Sequence, residues 1–409
     1  MSQSQTEQTF PHFTYSSRRL MIAMYGAAVF LYWMSLYLYV PTLPTYVESK
    51  SDNLALVGVV LAQYGLWQGI VRLPLGVAAD WLGRRRPFIV VGLALAGIGA
   101  WMMGATDGVN GLIVGRAITG LAASTWVPLV AVFSSLFPSH EAVKATAILT
   151  MVGSLGQVLA TGVTGSLNRW GGYSLAFLLA TGIATLAILA LLPTRENRRP
   201  PQRPTIAGIG RLISRRDVLL PALLAAVSQH ANWAATFGFV PILAQRLGAT
   251  DATQSMLMSM HIGIVIVGNL LIAPIVNRIG ARWLVYLSFV LLSVGLGGIA
   301  LASSLAALFA FQFCIGLSQG IGYPVLMGMS IEHVADTHRA TAMGLHQAVY
   351  AIGMFTGPWL SGILADGMGI QPMFGLTAFV CLAAGLFVTR QLGFEPGSVM
   401  MEVRHETHD

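Results

Sequence analysis

The stretch RLPLGVAADWLGRRR, residues 72–86, carries an apolar segment directly into a compact cationic turn. Gly76, Asp80 and Gly83 fall at i, i+4 and i+7, and Arg84, Arg85 and Arg86 follow at once. Three arginines after an apolar run would by themselves mark only topology, since basic residues are held on one side of a membrane. The glycines and the acid add more. On a helix ending near Asp80, Gly76 lets a neighbouring helix approach closely. The Asp80 carboxylate then lies at a membrane boundary, where it accepts hydrogen bonds from the start of another helix and pairs with a nearby arginine. Gly76, Asp80, Gly83 and Arg84 are therefore expected to form a conformational latch.

The rest of the chain agrees with a lipid setting. Of 409 residues, 55% are hydrophobic and 10% charged, and the mean hydropathy is +0.70. That is far more apolar surface than a soluble fold can bury. The net charge of +7 does not point to nucleic acid, because the basic residues sit in a few segments between apolar runs and no basic face with interleaved aromatics is found. Cys314 and Cys381 both fall inside apolar runs and support no disulfide framework. Residues 1–17 are polar and contain no short apolar stretch with a small-residue cleavage site, so the first apolar run is expected to be retained as a span.

Twelve apolar runs are legible, at approximately 19–41, 54–79, 87–105, 110–137, 141–167, 173–193, 217–246, 252–277, 282–301, 304–334, 339–366 and 371–391. Most are too long and too rich in Leu, Ala and Gly for barrel strands of about 9–11 residues, and suit helices of about 20. With a cytoplasmic N-terminus, 18 of the 23 Lys and Arg fall on the inner side, which puts both termini in the cytoplasm of a multi-pass cell-membrane protein. The Pro- and Arg-rich segment 194–216 is the only long connection and the natural boundary between two halves. Shifting the second half back by about 196 residues lays 273–282 on 76–85, Gly316–Pro324 on Gly120–Pro128, and RATA (339–342) on KATA (144–147). A duplicated six-span unit follows, and parallel repeats place a substrate site near the midplane between them.

The Gly, Asp, Gly and Arg spacing of residues 76–84 resembles the loop signature between the second and third helices of major facilitator superfamily transporters. RAITG (116–120) resembles the arginine-to-glycine motif of their fourth helix, which implies a role for Arg116 in proton coupling or in binding anionic groups. Gly344, Gly353, Gly357, Pro358 and Gly362 look like the glycine-proline motif of the superfamily's antiporters, although there it occupies the fifth helix, and here the fifth run has Gly162, Val163 and Gly165 without the proline. The resemblance covers residues 18–391. It implies an all-α membrane protein of twelve transmembrane helices in two pseudo-symmetric six-helix bundles. The expected organisation is an N-terminal tail to residue 18, bundles at 19–193 and 217–391, a linker at 194–216 and a tail from 392.

Candidate residues come from the cost of polarity in lipid. Arg72 lies eight positions before Asp80, about 12 Å along the helix, and Arg116 is similarly embedded; a charge at that depth needs a cavity or a partner. No Asp or Glu lies in the middle of a run. With two embedded arginines and no central acid, the path should be neutral to positive and favour anionic, zwitterionic or neutral substrates. If protons drive transport, Arg116, His230, His261 and His346 are the candidates to couple them. None of the histidines has a neighbour at metal-ligand spacing on its own helix, so neither metal nor cofactor is expected. Tyr32, Trp33, Gln63, Trp67, Gln157, Asn232, Trp233, Gln319, Tyr323, Gln347 and Tyr350 join Arg72, Arg116 and His230 as substrate-binding candidates, because the resemblance places them in cavity-lining helices. The expected function is secondary transport of a small organic molecule by alternating access, as proton-coupled efflux on resemblance to the drug-efflux branch. Uptake or facilitated diffusion of an organic anion, metabolite or sugar, and lipid flipping, are the alternatives. A membrane-embedded enzyme would need paired acids or a histidine cluster in the spans, which the sequence lacks. The chain is expected to work as a monomer, with membrane lipid around it.

Overall fold

The computed structural model describes residues 15–138, 141–194, 196 and 215–392, with the side chains of 15–17, 80, 142–143, 273, 336–338 and 340 outside the description. Much of the linker and of both tails thus lies outside the described residues. Every regular element within them is helical.

The first span is Tyr15–Tyr37, carried on by a 3-10 turn Val40–Thr42 and a short helix Leu43–Glu48. Pro41 and Pro44 break it, yet each sits at the start of the next piece, where a missing N–H costs nothing. The expected end at 41 is therefore extended by about two turns, to Glu48. The second span is Leu54–Leu82 and the third Arg86–Ala105. The fourth, Val109–Ala123 and Trp126–Ser134, is interrupted at Ser124 and Thr125. The fifth and sixth form one helical stretch, Ala142–Leu191, whose backbone leaves helical geometry at Gly171 and Gly172. Gly172 has φ +67°, a conformation that suits glycine. The seventh runs Arg216–Ala234, a π turn Ala235–Phe239, and Val240–Arg246. The eighth to twelfth are Asp251–Ile279, Ala281–Ala300, Leu305–Glu332, Asp336–Met368 and Ile370–Gln391.

Ten stretches among the described residues are long and apolar enough to cross a membrane. One of them, Lys144–Leu191, has 48 residues, about 70 Å of helix, and so crosses a ~30 Å core twice with its reversal at the glycine pair. The seventh helical stretch, residues 216–246 broken by its π turn, is not among those ten.

The duplication is visible in the packing. At Gly99 a Cβ would sit 2.8 Å from the Gly115 carbonyl oxygen; at Gly295, 196 residues later, it would sit 2.9 Å from that of Phe311. Gly120 lies against the second span at Tyr64, and Gly316 lies against the eighth at His261. Arg86 Nη2 donates to the carbonyl oxygens of Leu191 and Leu192, closing the end of the sixth span, and Arg282 Nη2 donates to that of Arg390 at the end of the twelfth. Each half thus repeats the same close crossings and the same cationic helix cap, the crossing at Gly99 and Gly295 in register and the others displaced by a few residues.

The halves meet along two seams, the second span with the eleventh and the fifth with the eighth. A Cβ on Gly362 would lie 2.9 Å from the Gly58 Cα, and one on Gly65 2.6 Å from the Met354 carbonyl carbon, so backbone touches backbone. Polar contacts gather at the end away from the chain termini. Arg246 pairs with Glu48 at 2.8 Å, and Asn168 Nδ2 donates to Asp251 Oδ2 at 2.8 Å. The Leu54 N–H donates to Asp366 Oδ1 at 3.0 Å, so a carboxylate of one half caps a helix of the other. The Gly165 N–H donates to Ser255 Oγ at 2.8 Å, and the Thr161 and Ser259 hydroxyls are 2.8 Å apart. These contacts close the far end of the molecule.

Candidate substrate path between the two halves

Beneath that closure a column of rings crosses from one half to the other. Trp126 of the fourth span meets Trp33 edge-on at 5.5 Å, and Trp33 meets Tyr37 at 5.6 Å. Tyr37 meets Phe237 of the seventh span at 6.1 Å. Phe237 stacks on Trp233 at 4.5 Å, and Trp233 stacks on Tyr64 of the second span at 5.3 Å and 19°. The column ends in a charge: the Arg116 guanidinium lies 4.4 Å from the Tyr64 ring centroid. Two sequence features build it. Gly153 of the fifth span leaves room for the Trp33 indole, which a Cβ would meet at 2.6 Å. The π turn at Ala235–Phe239 shifts the helical register between Trp233 and Phe237, a feature frequent at functional sites.

Nearer the termini a second cross-half contact appears. Arg72 Nη1 donates to the Tyr350 hydroxyl at 2.7 Å, and Tyr323 meets Tyr350 edge-on at 5.9 Å. His346 lies 6.4 Å from Tyr350 between ring centroids; its Nδ1 is 2.7 Å from Ser330 Oγ, and its buried Nε2 has no partner. Arg72 and Tyr64 are eight residues apart on one helix, so the two contacts bracket about 12 Å of depth.

The electrostatics are one-signed. Arg72 is 8% exposed and Arg116 2%, and they are the only charged residues among the described ones to be buried. Nε of Arg72, and Nε and Nη1 of Arg116, have no hydrogen-bond partner. A buried ion without a counter-ion is costly by several kcal/mol, and the rings offset part of that through cation–π attraction.

The other sequence candidates are distributed unevenly. Tyr32 donates to the Ala122 carbonyl oxygen at 2.9 Å and touches Trp33 at 5.3 Å, so it borders the column. Gln63 and Trp67 bond each other along one face of the second span, with Trp67 exposed. Gln319 Nε2 donates to Ser228 Oγ at 2.9 Å inside the second half. Asn232 Oδ1 accepts from Thr236 Oγ1, which accepts from Gln312 Nε2 at 2.6 Å; the same Gln312 nitrogen lies 3.1 Å from His261 Nδ1. His230 lies between the seventh and eleventh spans, with Nδ1 3.1 Å from Thr356 Oγ1. Gln157 and Gln347 are half-buried. Of the latch residues, Gly76 faces Val127 of the fourth span, Gly83 takes φ +64° in the turn, and Arg84 is exposed, while the Asp80 side chain lies outside the described residues.

Sequence reading missed Tyr64, Tyr37, Phe237, Gln312 and Thr356, all ordinary residues of apolar runs. It also missed Glu196, whose two carboxylate oxygens accept from the Arg85 and Arg86 N–H groups at 2.7 and 2.8 Å and so cap the third span. One signal was available for Gln312: it stands 196 residues after Arg116. Among the described residues no group of His, Cys, Asp and Glu suits a metal ion.

The family model for the Major Facilitator Superfamily matches residues 25–230 and 222–398. The inner membrane transport protein YajR of Escherichia coli is 31% identical over 125 residues, which is 30% of this chain and 27% of that protein. The quinolone resistance protein NorA of Staphylococcus aureus is 25% identical over 207 residues, 49% of this chain and 52% of that one. The chain thus spans about a quarter and about half the length of these relatives. In fold, it is similar to a bacterial homolog of the human lysosomal transporter Spinster, with a TM-score of 0.78 at 15% identity, covering 94% of this chain and 100% of that one.

Proposed function

The chain belongs to the Major Facilitator Superfamily, and from that premise we propose that it exports a planar aromatic compound, anionic or neutral, in exchange for protons. Secondary transport of a small organic molecule across a membrane is the family's common activity. The carrying observation for the finer reading is the ring column ending on one buried guanidinium, Arg116, with a second, Arg72, about 12 Å along the second span and no buried carboxylate among the described residues. Flat π faces stack with aromatic rings, and an unmet guanidinium takes an anion in bidentate fashion. The interval between Tyr64 and Arg72 suits a molecule of one to three rings. The likeness to a quinolone resistance protein supports this choice, since a quinolone is a fused planar ring bearing a carboxylate.

Residues 19–193 and 217–391 act as the two moving bodies. With both termini cytoplasmic, the closed end faces outward and the column is approached from the cytoplasm. Rocking opens the far seam, and Gly76, Asp80, Gly83 and Arg84 then latch the cytoplasmic end. His346 serves as the proton site of this cycle: a proton on its ring sets a second cation beside the Arg72–Tyr350 bond and loosens that cross-half contact. His261, held by Gln312, has the smaller claim.

Transport by purified protein in proteoliposomes tests the reading, using planar aromatic carboxylates and the matching aromatic amines under an imposed pH gradient. Carboxylates are expected to move and to dissipate the gradient, and amines to be left behind. Movement of amines instead would overturn the assignment of charge, and carboxylate transport that ignores the gradient would overturn the coupling.

A further inference from the structure

A cavity lies away from the ring column. The seventh, eleventh and twelfth spans enclose a groove of about 350 Å3, within the roughly 300–1,000 Å3 of small-molecule sites. Its walls are apolar, and the lining residues Ile352 and Val380 are 57% and 51% exposed. On membrane-crossing spans that exposure faces acyl chains. Its floor is polar: His230 and Thr356 both line it, joined at 3.1 Å between Nδ1 and Oγ1. Gly353 and Gly357 hold this floor rigid. A Cβ at Gly357 would lie 2.5 Å from the His230 carbonyl oxygen, and one at Gly353 2.9 Å from the His230 nitrogen, so the two helices touch along their backbones.

Depth narrows the occupant. His230 is fourteen residues from Arg216 and Thr356 twelve from Met368, which places them about 21 and 18 Å from opposite ends of the bundle. A lipid headgroup, about 15 Å from the midplane, cannot reach that level. An acyl chain reaches it but offers the imidazole no hydrogen-bonding atom. No Lys, Arg, Asp or Glu lines the groove among the described residues, and a charged ligand would pay heavily to enter from hydrocarbon.

We propose that this groove binds an uncharged, lipophilic small molecule with one carbonyl or hydroxyl oxygen, taken sideways from the bilayer core. The apolar walls hold its body, and His230 Nε2, the ring nitrogen not engaged with Thr356, meets the oxygen. The site differs in chemistry from the cationic column and stands independently of the transport reading.

Benzophenone, uncharged and with a single photoreactive carbonyl, is the probe. The full chain in proteoliposomes is irradiated with it, and adducts are mapped by mass spectrometry. Adducts should concentrate on peptides carrying residues 352–360 and 376–381, above those carrying the equally lipid-exposed Val91 and Leu178. His230→Phe keeps a flat ring without the hydrogen bond and should lower groove labelling about tenfold. Val380→Trp, at a lipid-facing position, fills the groove and should lower it likewise, which decides the matter where His230→Phe fails to insert. Even labelling of the whole lipid-facing surface, or groove labelling untouched by Val380→Trp, overturns the proposal and leaves the groove to acyl chains.

Discussion

The fourth and tenth spans hold equivalent places in the two halves and treat one position in opposite ways. Arg116 in the first half is a buried cation resting on Tyr64, with two nitrogens unmet. Gln312, 196 residues on, is a neutral amide whose nitrogen serves both Thr236 and His261. The Gln312 Oε1 is buried without a partner, but an unmet neutral oxygen costs far less than a guanidinium without an acid. The duplicated position has therefore become a neutral structural tie in one half and an uncompensated charge in the other. On the proposed reading, the second half holds its helices and the first half holds the cargo.

The strongest way to break that division is to give the first half the side chain of the second. Arg116→Gln should cut carboxylate transport by about 100-fold, the scale of removing one partner from a buried charge pair, with insertion and monodispersity retained. Transport at the normal rate would mean that the two positions do not differ in function. The cross-half bond comes next. Tyr350→Phe removes the acceptor of Arg72 Nη1, a bond to a charged group worth about 1.5–3 kcal/mol, so turnover should fall at least tenfold while the far end stays closed.

Gln312→Leu sharpens the comparison from the other side. It strips Thr236 and His261 of a partner at a cost of about 1–3 kcal/mol, which a thermal melt should read as a loss of several degrees. Substrate charge preference should remain as it was; an altered preference would move Gln312 from tie to site. The smallest effect belongs to the far end. Glu48→Gln removes a half-exposed ion pair worth about 0–1 kcal/mol, so spin labels at Lys50 and Gly248 should report at most about a fivefold shift toward an open far end. A larger shift would assign the closure to surface charge and not to the glycine seam at Gly58 and Gly362.

Much of this was legible in one dimension. The apolar runs fell within a few residues of the helices, apart from the first, where two prolines extend the span without ending it. Arg72, Arg116, Trp33, Trp233 and Tyr350 stood out because polarity and aromatic rings at depth are uncommon, and all five take part in cross-half or column contacts. Gln63 and Trp67 stood out equally, yet they satisfy one another on the surface of their own helix. Tyr64, between them in sequence, points to the column. A single residue step of about 100° separates these fates, and no pattern of composition distinguishes them.

The sequence by itself determined the membrane setting, the helical character of the apolar runs and the duplication, because a bilayer imposes length and hydropathy on each helix separately and a repeat is a relation along the chain. Only the tertiary structure decided the rest: that Glu196 caps the third span, that Arg116 lies on Tyr64 while Gln312 ties His261, and that His230 floors a groove open to lipid. Those pairings depend on the rotation of each helix about its axis against neighbours that are remote along the chain. That rotation is set by packing across the bundle, including glycine-to-backbone contacts such as Gly58 with Gly362 and Gly357 with His230.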